Sequence, residues 1–299
     1  MDYLFKGTAT ALYTPFTKNG IDYSQLERLI ERQIKGGVNA LILLGTTGES
    51  PTVLHGERAE IIAFTKKQIR GRIPLIVGTG SNCTATCCTL TKEAKELGAD
   101  GALIVTPYYN KCEQDGLYEH YKTVCKFARL PIICYNVPSR TCVDIEPSTA
   151  EKLCALDCVW GFKEASCDTA HAIKTLEICN AKKPVYCGND NLNLFFMERG
   201  AFGTISVLSN VIPSIIVEFI SNFEKFYDRR NKEFLLFYNE LCQTVFEKVN
   251  PLGIKLTAEI LYGEECNFRL PLIRPEDNFY QKLSMLCRKL KSFEEYTLC

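Results

Sequence analysis

Short, wholly apolar runs alternate along the chain with longer stretches in which apolar residues recur every three or four positions. Residues 40–44 (ALILL), 74–77 (PLIV), 101–105 (GALIV), 132–135 (IICY) and 159–163 (VWGFK) are of the first kind. Runs of that length without polar alternation predict strands of a parallel sheet covered on both faces. A first helix is predicted after Asp22, with Leu26, Leu29, Ile30 and Ile34 on one side and Gly36-Gly37 ending it. Further helices are predicted at 57–69, at 83–97 with Cys87 and Ala94 inward, around 117–124, and at 148–156, 168–179 and 192–199. Residues 7–14, 184–187 and 203–207 bring the strands to eight.

Alternating strand and helix units of roughly 25–30 residues imply right-handed parallel crossovers, and the closed eight-stranded (β/α) TIM barrel fits the count. An open doubly wound sheet is the alternative, but its usual G-x-G-x-x-G after the first strand is absent. Beyond Pro213 the periodicity is helical only, at 215–223, 234–249, 252–261 and 275–290. The expected organisation is therefore an α/β barrel over residues 1–226 and a C-terminal helical appendage over residues 227–299.

Composition narrows the function. Apolar residues make up 46% of 299, and 35 Lys plus Arg balance 35 Asp plus Glu. A neutral chain offers no electrostatic footprint for nucleic acid or an anionic membrane. Met1-Asp2-Tyr3-Leu4-Phe5-Lys6 lacks the pattern of a secretory signal, and no apolar run reaches the ~18 residues of a membrane helix, so a cytoplasmic protein is expected. The sixteen cysteines lie scattered in apolar segments and read mostly as small buried hydrophobes in a reducing compartment. Cys83, Cys87 and Cys88, or Cys154 and Cys158, form no C-x-x-C pair, and the three histidines are far apart, so no metal site and no cofactor are expected.

The candidate chemistry centres on Lys163, a lysine ending an apolar strand. Burial lowers a lysine's pKa and supplies a neutral amine able to attack a carbonyl. The plainer alternative pairs Lys163 with a surface carboxylate such as Glu164. Barrel active sites form at the C-terminal strand ends, which gathers Thr46 and Thr47, Tyr108 and Tyr109, Tyr135 and Arg140, Lys163, and Gly188 at one mouth. A tyrosine hydroxyl both donates and accepts a proton, threonines relay it, and an arginine fork suits a carboxylate. Each has a structural alternative: the threonines as a turn and cap, the tyrosines as packing, Arg140 as a surface ion pair. A phosphate cradle at 45–48 lacks the lysine of a Walker loop.

The segments Gly45-Thr46-Thr47-Gly48-Glu49-Ser50-Pro51-Thr52, Pro107-Tyr108-Tyr109-Asn110, Tyr135-Asn136-Val137-Pro138-Ser139-Arg140-Thr141 and Gly161-Phe162-Lys163-Glu164-Ala165 resemble the pyruvate-dependent class I aldolase family. The resemblance runs from about residue 5 to 290. It implies a Schiff base between Lys163 and pyruvate, and a relay of Tyr135, Thr47 and Tyr109, the last reaching across a tight dimer. Thr46 and Thr47 would hold the pyruvate carboxylate, Arg140 the carboxylate of aspartate 4-semialdehyde, and Gly188 with the Ile205 carbonyl would line the pocket. A homotetramer, as a dimer of tight dimers, is implied as well.

Within the family, sialic-acid lyases tend to carry Ser-Thr in the strand-two loop and lack Ser-Arg-Thr after the strand-five tyrosine. Thr46-Thr47 and Ser139-Arg140-Thr141 therefore side with the branch serving lysine and diaminopimelate biosynthesis. Sugar-acid aldolases and a non-catalytic keto-acid-binding barrel are the alternatives. Ser50, His55, Asn82 and Tyr108 match the lysine-inhibition site of regulated members. Arg58 and Thr86, however, stand where those members often carry histidine and glutamate, and weak or absent inhibition is expected.

Overall fold

The computed structural model describes residues 3–227 and 231–294. Residues 1–2 of the expected barrel region and residues 228–230 and 295–299 of the expected appendage lie outside the described residues. Eight parallel strands, β1 (Gly7–Ala11), β2 (Ala40–Leu43), β3 (Leu75–Gly78), β4 (Gly101–Val105), β5 (Ile132–Asn136), β6 (Val159–Glu164), β7 (Val185–Cys187) and β8 (Gly203–Ser206), close into a barrel in chain order. The seam joins β8 to β1 from Gly7↔Gly203 to Thr10↔Ser206. A Cβ at Gly203 would collide with the Gly7 carbonyl oxygen, so glycine permits the closest approach at the closure.

Helices α1 (Tyr23–Lys35), α2 (His55–Ile69), α3 (Thr84–Glu96) and α4 (Gln114–Ala128) cover the first half of the barrel. α1 starts as its sequence predicts, with the Asp22 carboxylate accepting from the Gln25 N–H at 2.8 Å. A four-residue helix that the periodicity does not predict, α5 (Pro138–Thr141), follows β5. Pro138 supplies its first-turn φ and Cys142 ends it in the left-handed region. α6 (Pro147–Cys154), α7 (Thr169–Cys179), α8 (Asn193–Glu198) and α9 (Pro213–Ser221) complete the outer ring.

The strands are buried on both faces, as their unbroken apolar runs require. Alternate residues point inward: Ala9, Ala40, Ile42, Ile76, Ile133 and Ile205 fill the barrel, while their neighbours pack beneath the helices.

The remaining helices, α10 (Lys232–Val245), α11 (Leu252–Tyr262) and α12 (Asp277–Glu294), are tied back to the barrel. Lys255 pairs with Glu49 at 2.7 Å, Glu264 with Arg32 at 2.7 Å, and Arg269 with Glu57. Among the described residues no helix is long and apolar enough to cross a membrane. Leaving Cys287 aside, twelve described cysteines are free, eight of them buried. Cys125 and Cys158 depart from the reading as isolated thiols, because the end of α4 and the turn before β6 bring them into a disulfide with Cα atoms 5.7 Å apart.

Candidate active site

Lys163 and Tyr135 are register partners across the β5–β6 ladder. Both point inward, since Ala165, two residues on from Lys163, belongs to the barrel interior and Phe162 packs under the helices. Lys163 is 4% exposed, and its Nζ lies 4.3 Å from the centre of the Tyr135 ring. It makes no ion pair or hydrogen bond with the described residues. The plainer expectation of a Lys163–Glu164 pair is therefore overturned. Successive strand residues face opposite ways, and the Glu164 carboxylate is buried on the helix side, accepting from the Ser166 N–H and Asn136 Nδ2.

A cavity of about 620 Å³ opens above this rung, and Thr46, Thr47, Arg140 and Gly188 share its wall with Lys163 and Tyr135. A Cβ on Gly188 would lie 3.0 Å from the Lys163 Cε and 2.7 Å from the Ala165 Cβ. Glycine at that position leaves the lysine its stem room. Thr47 is buried, and its Oγ1 accepts from Asn250 Nδ2 at 2.9 Å. Its own hydroxyl hydrogen therefore remains for another acceptor. The threonine loop is held from behind by Glu49, whose backbone is left-handed and whose carboxylate meets Lys255. Arg140, on α5, is exposed and makes no ion pair with the described residues.

A second cavity of about 330 Å³ adjoins the first, and Thr46, Tyr135, Arg140 and Asn250 border both. Tyr108 and Ser50 line only the smaller one. Tyr109 lines neither; it is 91% exposed, with a positive φ of 73°. Ile205 is buried inside the barrel, and the larger cavity is bordered on that side by Val207 and Ala11. Of the remaining candidates, His55 Nε2 lies 3.6 Å from Glu93, and the Asn82 carbonyl accepts from Asn110. Arg58 donates to the Gly78 carbonyl at 2.8 Å and to Ser50 Oγ at 3.4 Å. Burial lowers the pKa of its guanidinium.

Two cavity residues escape a reading of the sequence. Asp190 is fully buried and accepts from Ser206 Oγ and the N–H groups of Val207 and Leu208. Burial raises its pKa, while those donors and the Lys163 charge pull it down. Asn250 arrives from the appendage, and only the turn signal of Asn250-Pro251 marks it in the sequence. An amine, hydroxyls and an arginine in one enclosed space equip the site for carbonyl chemistry on an anionic substrate.

Comparison with known proteins agrees with that chemistry. Residues 4–290 match the dihydrodipicolinate synthetase family. The 4-hydroxy-tetrahydrodipicolinate synthase of Alkaliphilus oremlandii is 41% identical over 280 residues, covering 94% of this chain and 97% of that one. The synthase of Aquifex aeolicus is 40% identical, covering 96% and 98%. Among solved structures, the dihydrodipicolinate synthase of Thermotoga maritima superposes with a TM-score of 0.92 at 37% identity, covering 96% and 99%. A monomeric dihydrodipicolinate synthase variant also scores 0.92, at 38% identity over 95% and 96%.

Proposed function

The chain belongs to the dihydrodipicolinate synthetase family, and from that premise we infer that it is a lyase. It condenses pyruvate with L-aspartate 4-semialdehyde to 4-hydroxy-tetrahydrodipicolinate, in lysine and diaminopimelate biosynthesis. The observation that carries the residue assignment is the Tyr135–Lys163 rung, a buried amine on the face of a tyrosine with no ionic partner among the described residues.

In our assignment the Lys163 amine attacks the keto carbon of pyruvate, and Tyr135 passes the proton that lets the carbinolamine hydroxyl leave as water, giving the imine. Thr47 relays that proton, and Thr46 and Thr47 hold the pyruvate carboxylate. Loss of a methyl proton gives the enamine, whose carbon attacks the aldehyde carbon of the second substrate. Arg140 receives the carboxylate of that substrate with its planar fork. The substrate amine then closes the ring onto the imine carbon and expels Lys163. Gly188 keeps the lysine stem clear, and the Ile205 carbonyl borders the bound keto acid.

We assign Tyr109 to the relay of a neighbouring subunit. Its exposure and left-handed backbone suit a side chain held out for a second copy. Exposed Leu54 and Leu270, the latter beside an Arg269 that donates to the Thr52 carbonyl at 2.8 Å, suit the same tight dimer within a homotetramer. Cytoplasmic activity is the reading that fits twelve free thiols. Arg58 against Ser50 opposes a lysine ammonium, so the site of Ser50, His55, Asn82 and Tyr108 gives weak or no lysine inhibition; submillimolar inhibition would refute this.

Borohydride reduction in the presence of pyruvate, followed by peptide mapping, tests the central assignment. The expected result is one adduct, on Lys163, and a label elsewhere ends the account. With the pyruvate-loaded enzyme, a panel of aldehydes should turn over fastest with the four-carbon amino aldehyde.

A further inference from the structure

Immediately after the Tyr135–Lys163 rung comes a second one, Asn136↔Glu164, and its side chains face the opposite way. Asn136 engages both its amide hydrogens and its carbonyl oxygen there. Its Nδ2 donates to Asp144 Oδ1 at 2.6 Å and to both Glu164 oxygens at 3.1 and 3.0 Å, and its Oδ1 accepts from the Ile145 N–H at 3.0 Å. The chain leaving β5 at Asn136 thus returns to the same side chain eight and nine residues later. Arg140 stands at the middle of the loop so pinned.

Behind the rung, His171 Nε2 lies 3.2 Å from Asp144 and 3.7 Å from Glu164. Glu164 also accepts from the Ser166 N–H at 2.6 Å, which fixes the chain just beyond Lys163. A third carboxylate, Asp168, accepts from the backbone N–H of His171 at 3.2 Å. His171 is therefore the one group in this network able to carry positive charge between Asp144 and Glu164.

We propose that Asn136, Glu164, His171 and Asp144 form a positioning network that fixes the Arg140 loop for the carboxylate of the aldehyde substrate. This rests on Arg140 being the receptor of that carboxylate. The inward rung supplies the reacting groups, and the outward rung transmits their strand position to the loop that binds the second substrate. Burial raises the Glu164 pKa, opposed by Ser166, Asn136 and His171. Without the imidazole, Asp144 and Glu164 face each other across Asn136 alone, and Asp144, the more exposed of the two, is the one free to move away. Its departure releases the returning end of the loop.

Steady-state constants for both substrates in Glu164→Gln, His171→Asn and Arg140→Ala, and in each network variant combined with Arg140→Ala, test this. Either network variant should raise the aldehyde KM about five- to tenfold, with pyruvate KM and the trapped adduct within about twofold, and should add less than about twofold to Arg140→Ala. An equal rise in both KM values, or full additivity with Arg140→Ala, overturns the proposal. Arg140→Ala with an unchanged aldehyde KM removes the receptor role and the network together. A raised KM in Arg140→Ala beside normal values in both network variants removes the network alone. Should Glu164→Gln fail to fold, His171→Asn, at the network's edge, decides.

Discussion

Lys163 and Lys255 are both almost sealed from solvent, 4% and 0% exposed, and their surroundings differ in one respect. Lys255 spends all three of its donors: on Glu49 at 2.7 Å, on the Asn267 carbonyl at 2.6 Å and on the Thr14 carbonyl at 3.2 Å. The rings of Phe16 and Phe268 enclose it. Among the described residues the Lys163 amine has no hydrogen-bond or ionic partner and lies on the face of Tyr135, because Glu164 points through the other side of the sheet and Asp190 is engaged by Ser206, Val207 and Leu208. Burial is common to the two amines; partnering separates them, and it is on partnering that our assignment of Lys163 as the reagent and Lys255 as a tether rests.

Replacing each lysine gives the sharpest test of that contrast. Lys163→Ala should bring turnover to the limit of detection and leave the urea midpoint at or above wild type, since no partner is stranded. Lys255→Met should cost about 3–5 kcal/mol in urea denaturation, because it leaves Glu49 buried without its counter-charge. Equal losses of stability in the two variants would erase the distinction.

Gly188→Ala narrows the test to the room around Lys163. Crowding Lys163 Cε should cut kcat/KM for pyruvate by about 10²-fold with the fold intact by circular dichroism. A wild-type value would show that the stem has slack. Asn250→Ala probes the appendage's reach into the site. Losing the donor to Thr47 should lower kcat by roughly fivefold, about 1 kcal/mol of a hydrogen bond, with little change in pyruvate KM. A change in pyruvate KM alone would place Asn250 on the substrate instead.

The smallest effect expected is one of pH. Burial holds the Lys255 pKa below its ordinary value, with Glu49 pulling it back up. Between that lowered value and about 10.4 the unfolded chain binds the proton more readily, so this group's contribution to stability rises with pH across the window. The gap in stability between wild type and Lys255→Met should widen from pH 8 toward pH 10 in parallel urea titrations; a constant gap would place the titration elsewhere.

Much of this was legible in one dimension. The apolar runs announce strands because a strand covered on both faces has no polar side to show, and Asp22 announces its helix because a cap acts within three residues. Lys163, Tyr135, Thr47, Arg140 and Gly188 could be gathered beforehand, since strand ends of a barrel share one mouth. The short helix α5 was not legible, being too brief for a period to register. Asn250 was equally hidden, as it bonds a residue 203 positions away.

The sequence by itself determined the alternation of strand and helix, and the residue types that could do carbonyl chemistry. These depend on side chains three or four residues apart and on the local backbone. Tertiary structure alone decided which carboxylate each lysine would meet. Glu164 is the chain neighbour of Lys163, yet the pleat sends it to the opposite face. Glu49 lies 206 residues from Lys255, yet barrel closure and the return of α11 bring the two to 2.7 Å. Proximity along the chain and proximity in space are set by different forces, and only packing fixes the second.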